Sequence, residues 1–259
     1  MDLGLRGRKA IICASSRGLG KACAISLARE GCDVVINGRD NESLRATEDE
    51  LKQLGGGSVV AVCADINTAE GRRILLDTCD EPDILINNNA GPPPGSYRQW
   101  DEATWLAALQ ANMLVPTLLI QDVVDGMRER RFGRIVNITS AMVKSPHSAM
   151  GLSTSARSAL TAFCKGLSKE VAADNVTINN MLPERFDTDR QRKMAELVMA
   201  MKGISYQEAR AEMVASIAAK RLGTPEEFGD ACAFLCSAQA GFISGQNLQL
   251  DGGSYAGLI

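Results

Sequence analysis

Along the chain, short runs of β-branched and other apolar residues alternate with longer segments whose apolar residues recur every three or four positions. That switch of period predicts βαβ units feeding a parallel sheet. Seven strands are predicted: Lys9 to Ala14, Asp33 to Asn37, Ser58 to Ala64, Ile84 to Asn87, Arg134 to Ile138, Thr177 to Met181 and Asn247 to Leu250. Several are apolar on both faces, as strands covered by helices on each side are. Helices are predicted at about Leu19 to Arg29, Glu42 to Leu54, Ala69 to Cys79, Glu102 to Glu129, Ser153 to Ala173, Asp189 to Ala219 with a break near Gly203, and Pro225 to Cys236. No repeat, low-complexity tract or linker interrupts the pattern, so residues 1–259 read as a single α/β domain. The expected architecture is a doubly wound, Rossmann-type fold with a seven-stranded parallel sheet and helices on both faces.

Composition adds exclusions. With 45% hydrophobic and 23% charged residues the chain has the make-up of a soluble globular protein, and a net charge of -3 gives no electrostatic footprint for nucleic acid or an anionic membrane. The start, MDLGLRGRKAII, lacks the apolar stretch and cleavage site of a secretory signal, and no segment has about 18 unbroken apolar residues, so the cytoplasm is the expected address. Eight cysteines lie scattered through apolar segments without a Cys-x-x-Cys pair, and read as buried free thiols. No metal ligand set is expected.

The first strand runs through Cys13-Ala14-Ser15-Ser16-Arg17-Gly18-Leu19-Gly20 straight into a helix. Glycines there let backbone approach a pyrophosphate, and the unpaired N–H groups of the helix start favour its negative charge. By itself such a string also suits a tight turn. Its place between strand and helix, inside a βαβ unit, makes it a dinucleotide site. The second strand ends Ile36-Asn37-Gly38-Arg39, with Gly38 where an acidic residue would accept from an adenosine 2′-hydroxyl. Arg39 beside it and Arg17 in the turn suit a 2′-phosphate dianion. NADP(H) is therefore expected, with NAD(H) as the second choice. The alternative is that both arginines are solvated and that Asp40 simply caps the next helix.

Together with that turn, Asn87-Asn88-Asn89-Ala90-Gly91 after the fourth strand and Leu250-Asp251-Gly252-Gly253 near the end resemble the short-chain dehydrogenase/reductase family over nearly the whole chain. Gly133-Arg134-Ile135-Val136-Asn137-Ile138 and Arg221-Leu222-Gly223-Thr224-Pro225-Glu226-Glu227 bring it nearest to the 3-oxoacyl-(acyl carrier protein) reductase-like branch. The resemblance implies a cofactor cradle of Ala14, Ser16, Arg17, Gly18, Leu19, Gly20, Arg39, Asp65, Ile66, Asn89, Gly91, Arg157, Pro183 and Thr188. Within it Asp65 meets the adenine, Asn89 and Gly91 line the ribose side, and Thr188 contacts the nicotinamide amide. It also implies Asn112 as a structural and proton-relay residue and Ser140 as the group that hydrogen-bonds the substrate carbonyl.

The chain departs from that pattern where the chemistry lies. The family's tyrosine, about a dozen residues after the serine, and its lysine four further on, fall at Ser153 and Arg157. The first glycine of the phosphate turn is Ala14, and the residue after Pro183 is Glu184. A phenol with a pKa near 10 can be tuned toward working pH as a proton donor, whereas an alkyl hydroxyl cannot. Ser153 is thus expected to hold a water, and Arg157, one helical turn away on the same face, to bind the nicotinamide ribose. Loss of general acid catalysis typically costs about 10²- to 10⁴-fold, so other donors matter: Tyr97 and His147, the only histidine. Each also reads as an ordinary loop residue.

The expected activity is NADP(H)-dependent interconversion of a carbonyl and an alcohol, with an atypical proton donor. The alternative is a catalytically impaired dinucleotide-binding relative acting as a binding or partner subunit. Residues 186–219 resemble the family's substrate-covering region, and Met194, Met199, Met201 and Met213 there suit either an apolar substrate or a plain core. A homodimer or homotetramer built on the Glu102 to Glu129 and Ser153 to Ala173 helices is expected, using Ala156, Ala159, Leu160, Phe163 and Leu167 as core or interface.

Overall fold

In the computed structural model, which describes residues 2–258, seven parallel strands form one sheet in the order β3-β2-β1-β4-β5-β6-β7. The strands are β1 Lys9–Ile12, β2 Asp33–Gly38, β3 Val59–Cys63, β4 Ile84–Asn87, β5 Gly133–Ile138, β6 Val176–Pro183 and β7 Asn247–Leu250. β1, β2, β3 and β5 shift by one or two residues at one or both ends, β6 extends one residue further at its N-terminal end and two at its C-terminal end, and β4 and β7 fall as predicted. The connections reverse direction between β1 and β4, so the crevice at the carboxyl end of those strands is the topological switch point where doubly wound sheets bind ligands.

Helices cover both faces. α1 Gly18–Arg29, α2 Asn41–Gln53 and α9 Pro225–Cys236 belong to one side, and α3 Ala69–Asp77, α4 Glu102–Leu109, α5 Val115–Glu129 and α6 Gly151–Val171 to the other. The core divides accordingly, with Ile12, Leu27, Ile36, Ile86 and Phe228 on the first face and Ile11, Leu85, Leu119, Ile135 and Ile178 on the second. α7 Asp189–Lys202 and α8 Tyr206–Ala215 form the segment over the crevice, separated at Gly203, whose φ of 65° ends α7.

Two expectations change and one alternative narrows. The stretch from Glu102 to Glu129 is not one regular helix, because a π-turn at Gln110–Leu114 separates α4 from α5. It is also long and apolar enough, at mean hydropathy 1.4 over 18 residues, to resemble a membrane span, yet its buried side chains pack onto the sheet. Seven cysteines are buried, but Cys63 is exposed, because β3 is an edge strand. On α6, Ala156 and Leu160 are buried while Phe163 and Leu167 pack against the core, so most of its apolar surface is spent inside the subunit.

Across the carboxyl half of the sheet, asparagines stand in register. Asn87 pairs with Asn137, Asn137 with Asn180 and Asn180 with Asn247. Their side-chain amides donate in sequence, Asn87 to Asn137 and Asn137 to Asn180 at 2.9 Å each, and Asn180 to Asn247 at 2.8 Å. This polar row fixes strand register beneath the crevice, since a slip by one residue would leave several buried amides unpaired.

Candidate active site

The turn after β1 is built by close backbone approach. Ala14 adopts φ 44°, a left-handed conformation unusual for a residue with a side chain, and its N–H donates to Asn37 Oδ1 at 3.3 Å. Its carbonyl accepts from Asn88 Nδ2 at 3.0 Å, which ties the turn to the loop after β4. A Cβ on Gly20 would lie 2.5 Å from that carbonyl oxygen, so only glycine lets α1 start this close to the turn. Gly18 is left-handed at φ 61° with open space where a side chain would begin. Arg17 starts α1 without a side-chain cap, leaving the first N–H groups of the helix to a ligand. These features fit a dinucleotide diphosphate.

The recognition end also fits. A Cβ on Gly38 would sit 3.0 Å from Ser16 Cβ, so an acidic side chain there would be crowded. Ser16, Arg17 and Arg39 line the same cavity, and Arg39 approaches Asp65 at 3.8 Å with both side chains open to solvent. Asp40 does cap α2, accepting from Ser43 N at 2.8 Å. The Ser43 side chain first, and then this backbone amide, hold the Asp40 carboxyl below its ordinary pKa.

The crevice is a cavity of about 1200 Å³. Every residue expected in the cofactor cradle lines it except Gly20, which shapes the turn from behind. Ser140 lies at the end of β5 with its Oγ accepting from Met142 N at 3.2 Å. Ser153 and Arg157, in the first two turns of α6, are only 4% and 7% exposed. Asn112 sits in the π-turn outside the main cavity. Its Nδ2 donates at 3.4 Å to the carbonyls of Ala90 and Ala108, and its Oδ1 is buried without a partner. It shares with Arg157 a small recess of about one-water size behind the cavity, and Arg157 Nε is likewise buried and unpartnered.

Arg157 is held more tightly than the sequence suggested. Its Nη1 donates to the carbonyls of Ile138 at 2.5 Å and Thr139 at 2.9 Å, and Nη2 to that of Asn89 at 3.4 Å. The guanidinium therefore clamps the ends of β5 and the loop after β4, leaving little of its fork for a ribose. Burial first, and then the charge of Arg190, push its pKa down to about 10. Arg190 was missed by sequence reasoning because its helical position looks solvated. Its Nη1 stands 3.2 Å, Arg157 Nη2 3.4 Å and Ser153 Oγ 3.9 Å from the point where a side chain on Gly91 would begin.

The two loop donors separate. Tyr97 lies on a short 3₁₀ turn, 67% exposed, beside Arg98, and is not among the cavity-lining residues. His147 does line the cavity, and its Nδ1 accepts from Ala149 N at 3.2 Å, which places the proton of the neutral ring on Nε2. Thr188, at the start of α7, lines the cavity and makes no side-chain cap bond. Met194 and Met213 line it too, whereas Met201 is 84% exposed.

Residues 13–255 match the family model described as enoyl-(acyl carrier protein) reductase. The chain is 31% identical over 252 residues to the NADPH-dependent reductase BacG of Bacillus subtilis, covering 95% of this chain and 97% of that one. It is 28% identical to the 3-oxoacyl-[acyl-carrier-protein] reductase FabG of Vibrio cholerae, over 98% of this chain and 99% of the other. The crystal structure of L-sorbose reductase from Gluconobacter frateurii, complexed with NADPH and L-sorbose, superposes with a TM-score of 0.95 over the full length of both chains at 28% identity. With the switch-point cavity and the glycine turn already in place, this likeness identifies the chain as a member of the short-chain dehydrogenase/reductase family, of the 3-oxoacyl-(acyl carrier protein) reductase-like kind.

Proposed function

We propose that the protein is an NADP(H)-dependent oxidoreductase that interconverts a carbonyl and an alcohol on a small molecule. The observation that carries this reading is that the diphosphate turn at Ala14 to Gly20 and the hydroxyl of Ser140 open onto one cavity. Relatives that use NADPH or reduce 3-oxoacyl groups support it. When bound, the nicotinamide supplies or accepts the hydride. The chain's residues do the rest.

The amides of the turn and of the α1 N-terminus hold the diphosphate, Arg17 and Arg39 recognise the 2′-phosphate, and Asp65 with Ile66 flanks the adenine. Asn89, Gly91, Pro183 and Thr188 orient the nicotinamide half. Ser140 Oγ donates to the reacting oxygen. The proton route is atypical. Ser153 holds a water beside the reacting oxygen, and Asn112 with Arg157 frames a recess that can pass a proton through a second water. His147, on the cavity wall, is a second side chain able to pass a proton. Arg157 keeps its proton at working pH and acts by position and charge.

A homodimer or homotetramer in the cytoplasm completes the proposal, with Leu106 and Leu114 as exposed apolar residues on the α4 to α5 stretch available to a second copy. A second reading, a dinucleotide-binding relative without turnover, is favoured by one observation only: Arg157 is committed to backbone carbonyls where the family has a free lysine. NADPH consumption against a panel of ketones, quinones and 3-oxoacyl thioesters separates the two. Turnover that falls at least about 10²-fold in Ser140→Ala, with NADPH affinity kept, supports the enzyme. NADPH binding without turnover of any compound supports the relative.

A further inference from the structure

Five carboxylates line the crevice: Asp40, Asp65, Glu184, Asp189 and Glu212. Four already accept hydrogen bonds, Asp40 from Ser43 N at 2.8 Å, Asp65 from Asn67 Nδ2 at 2.8 Å, Asp189 from Arg192 Nη1 at 3.0 Å and Glu212 from Lys202 Nζ at 2.5 Å. Glu184 is the exception. Among the described residues its carboxylate accepts no hydrogen bond, although the side chain is only 16% exposed. Its ion-pair contact, Arg185 Nε, stands at 3.7 Å, beyond hydrogen-bond range, and Arg185 Nη1 is spent on the Met213 carbonyl and, at 2.9 Å, on Ser216 Oγ at the C-terminal end of α8. The Glu184 carboxylate thus has a counter-charge but no donor, and a half-buried acceptor left in that state is costly.

The sheet fixes where this acceptor stands. β5 and β6 run parallel with Ile138 level with Met181, and Thr139 N donates to the Met181 carbonyl at 2.8 Å. Ser140 and Glu184 therefore leave adjacent strands, spaced about 5 Å apart, at nearly the same height, and Glu184 N is held by the Leu250 carbonyl at 3.1 Å. We propose that Glu184 accepts a hydrogen bond from the substrate, so that the enzyme acts on ketones with a hydroxyl on the carbon next to the carbonyl. This rests on the carbonyl reductase reading above and names its substrate class. Ser140 takes the carbonyl oxygen and Glu184, beside it, the neighbouring O–H, in a charge-assisted bond. An ammonium group suits the place less, because Arg185 already meets the charge. Met142, Met194 and Met213 line the same cavity and suit an apolar remainder. The hydroxyl takes no part in the balance: the carbonyl carbon gains the hydride of NADPH, its oxygen gains a proton from water, and the products are a vicinal diol and NADP⁺.

The test compares 1-hydroxybutan-2-one and 1-hydroxyoctan-2-one with their methyl ethers, which keep the inductive effect of the oxygen and lose the donor, in the wild type and in Glu184→Ala. The Glu184 side chain holds no hydrogen-bond partner, so the variant strands none and is expected to fold. The expected kcat/KM is about 10- to 100-fold higher for hydroxyketone than for ether in the wild type, falling toward unity in the variant, with NADPH affinity by fluorescence titration changed less than about threefold. Equal use of hydroxyketone and ether by the wild type, or turnover only of carbonyls without the hydroxyl, overturns the proposal while leaving the reductase intact. A hydroxyl preference that survives in Glu184→Ala also overturns it, and a tenfold loss of NADPH affinity alongside would give the carboxylate to the coenzyme. If NADPH binds but no carbonyl is turned over, the underlying reading fails, and calorimetry with 1-hydroxyoctan-2-one on the NADP⁺-saturated protein decides the site. Binding weakened at least tenfold by Glu184→Ala supports the hydroxyl site, and binding that is absent or unchanged overturns it.

Discussion

Asn137 Nδ2 donates to Asn180 Oδ1 at 2.9 Å, and Asn137 Oδ1 accepts from Asn87 at the same distance. Asn137 is wholly buried. It is therefore the middle of a polar row that crosses the sheet just below Ser140. Replacing it by alanine strands one amide donor on Asn87 and one acceptor on Asn180, each costing about 1 to 3 kcal/mol. Asn137→Ala is expected to lower stability by about 2 to 4 kcal/mol and the melting temperature by on the order of 5 to 15 °C. Thermal unfolding by circular dichroism measures this, and a change under about 1 °C would mean that the row contributes nothing.

Ala14 bears the cost of a left-handed φ at the position where the family has glycine. Relieving a left-handed alanine recovers about 1 kcal/mol, less what glycine loses in chain entropy. Ala14→Gly is expected to raise the melting temperature by about 1 to 3 °C with the Asn88 bond to its carbonyl intact. Gly20→Ala is expected to act in the opposite direction, because its Cβ meets that carbonyl oxygen at 2.5 Å and Asn88 Nδ2 at 2.7 Å. A Gly20→Ala protein that binds NADPH as well as the wild type would contradict the close approach argued for this turn.

Coenzyme choice rests on exposed groups. Arg39 has only a long contact to Asp65, which leaves its fork available to a 2′-phosphate. Arg39→Ala is expected to raise the NADPH dissociation constant about 10- to 100-fold, as loss of a charge-assisted pair does. NADH binding should change less than about threefold. Fluorescence titration of both coenzymes checks it, and equal weakening of the two would assign Arg39 to something other than the phosphate.

The fold was legible because period carries it. Runs such as Ile84 to Asn87 and Asn247 to Leu250 are bounded by turn residues, and those strands fall as read. What period misses is local winding. The π-turn at Gln110–Leu114 leaves apolar spacing nearly unchanged, so Glu102 to Glu129 reads as a continuous helix, although that turn is what aims Asn112 at the carbonyl of Ala90. The set of residues that line the switch-point cavity was legible from motif order. The meeting of Arg157 and Arg190 was not, because the two are far apart in sequence and are joined only by the path of the chain after β6. Likewise, nothing in the sequence distinguishes Tyr97 from His147 as loop residues. The separation comes from loop packing, in which Gly95 N donates to the carbonyl of Ala149 at 2.9 Å and Trp100 packs over Gly151.

Away from the site, Arg221 grips Glu227 with two bonds, of 2.7 and 2.6 Å, while Glu227 also accepts from Thr224 N to close the capping box of α9. The Arg221 bonds, followed by the Thr224 amide, hold the Glu227 carboxyl at about 2, below its ordinary 4.5. A carboxyl depressed in the folded state favours folding above its unfolded pKa, and that contribution fades as pH falls from about 4.5 toward 2. Because the Glu227 side chain is 46% exposed, solvent screening limits the effect to at most about 1 kcal/mol. Glu227→Gln keeps an acceptor for the cap and removes only the charge. Its melting temperature is expected to lie about 1 to 3 °C below the wild type at pH 7, with the gap closing as pH falls from about 4.5 toward 2. A gap that stays constant across that range would show that the cap geometry, and not the ion pair, makes the difference.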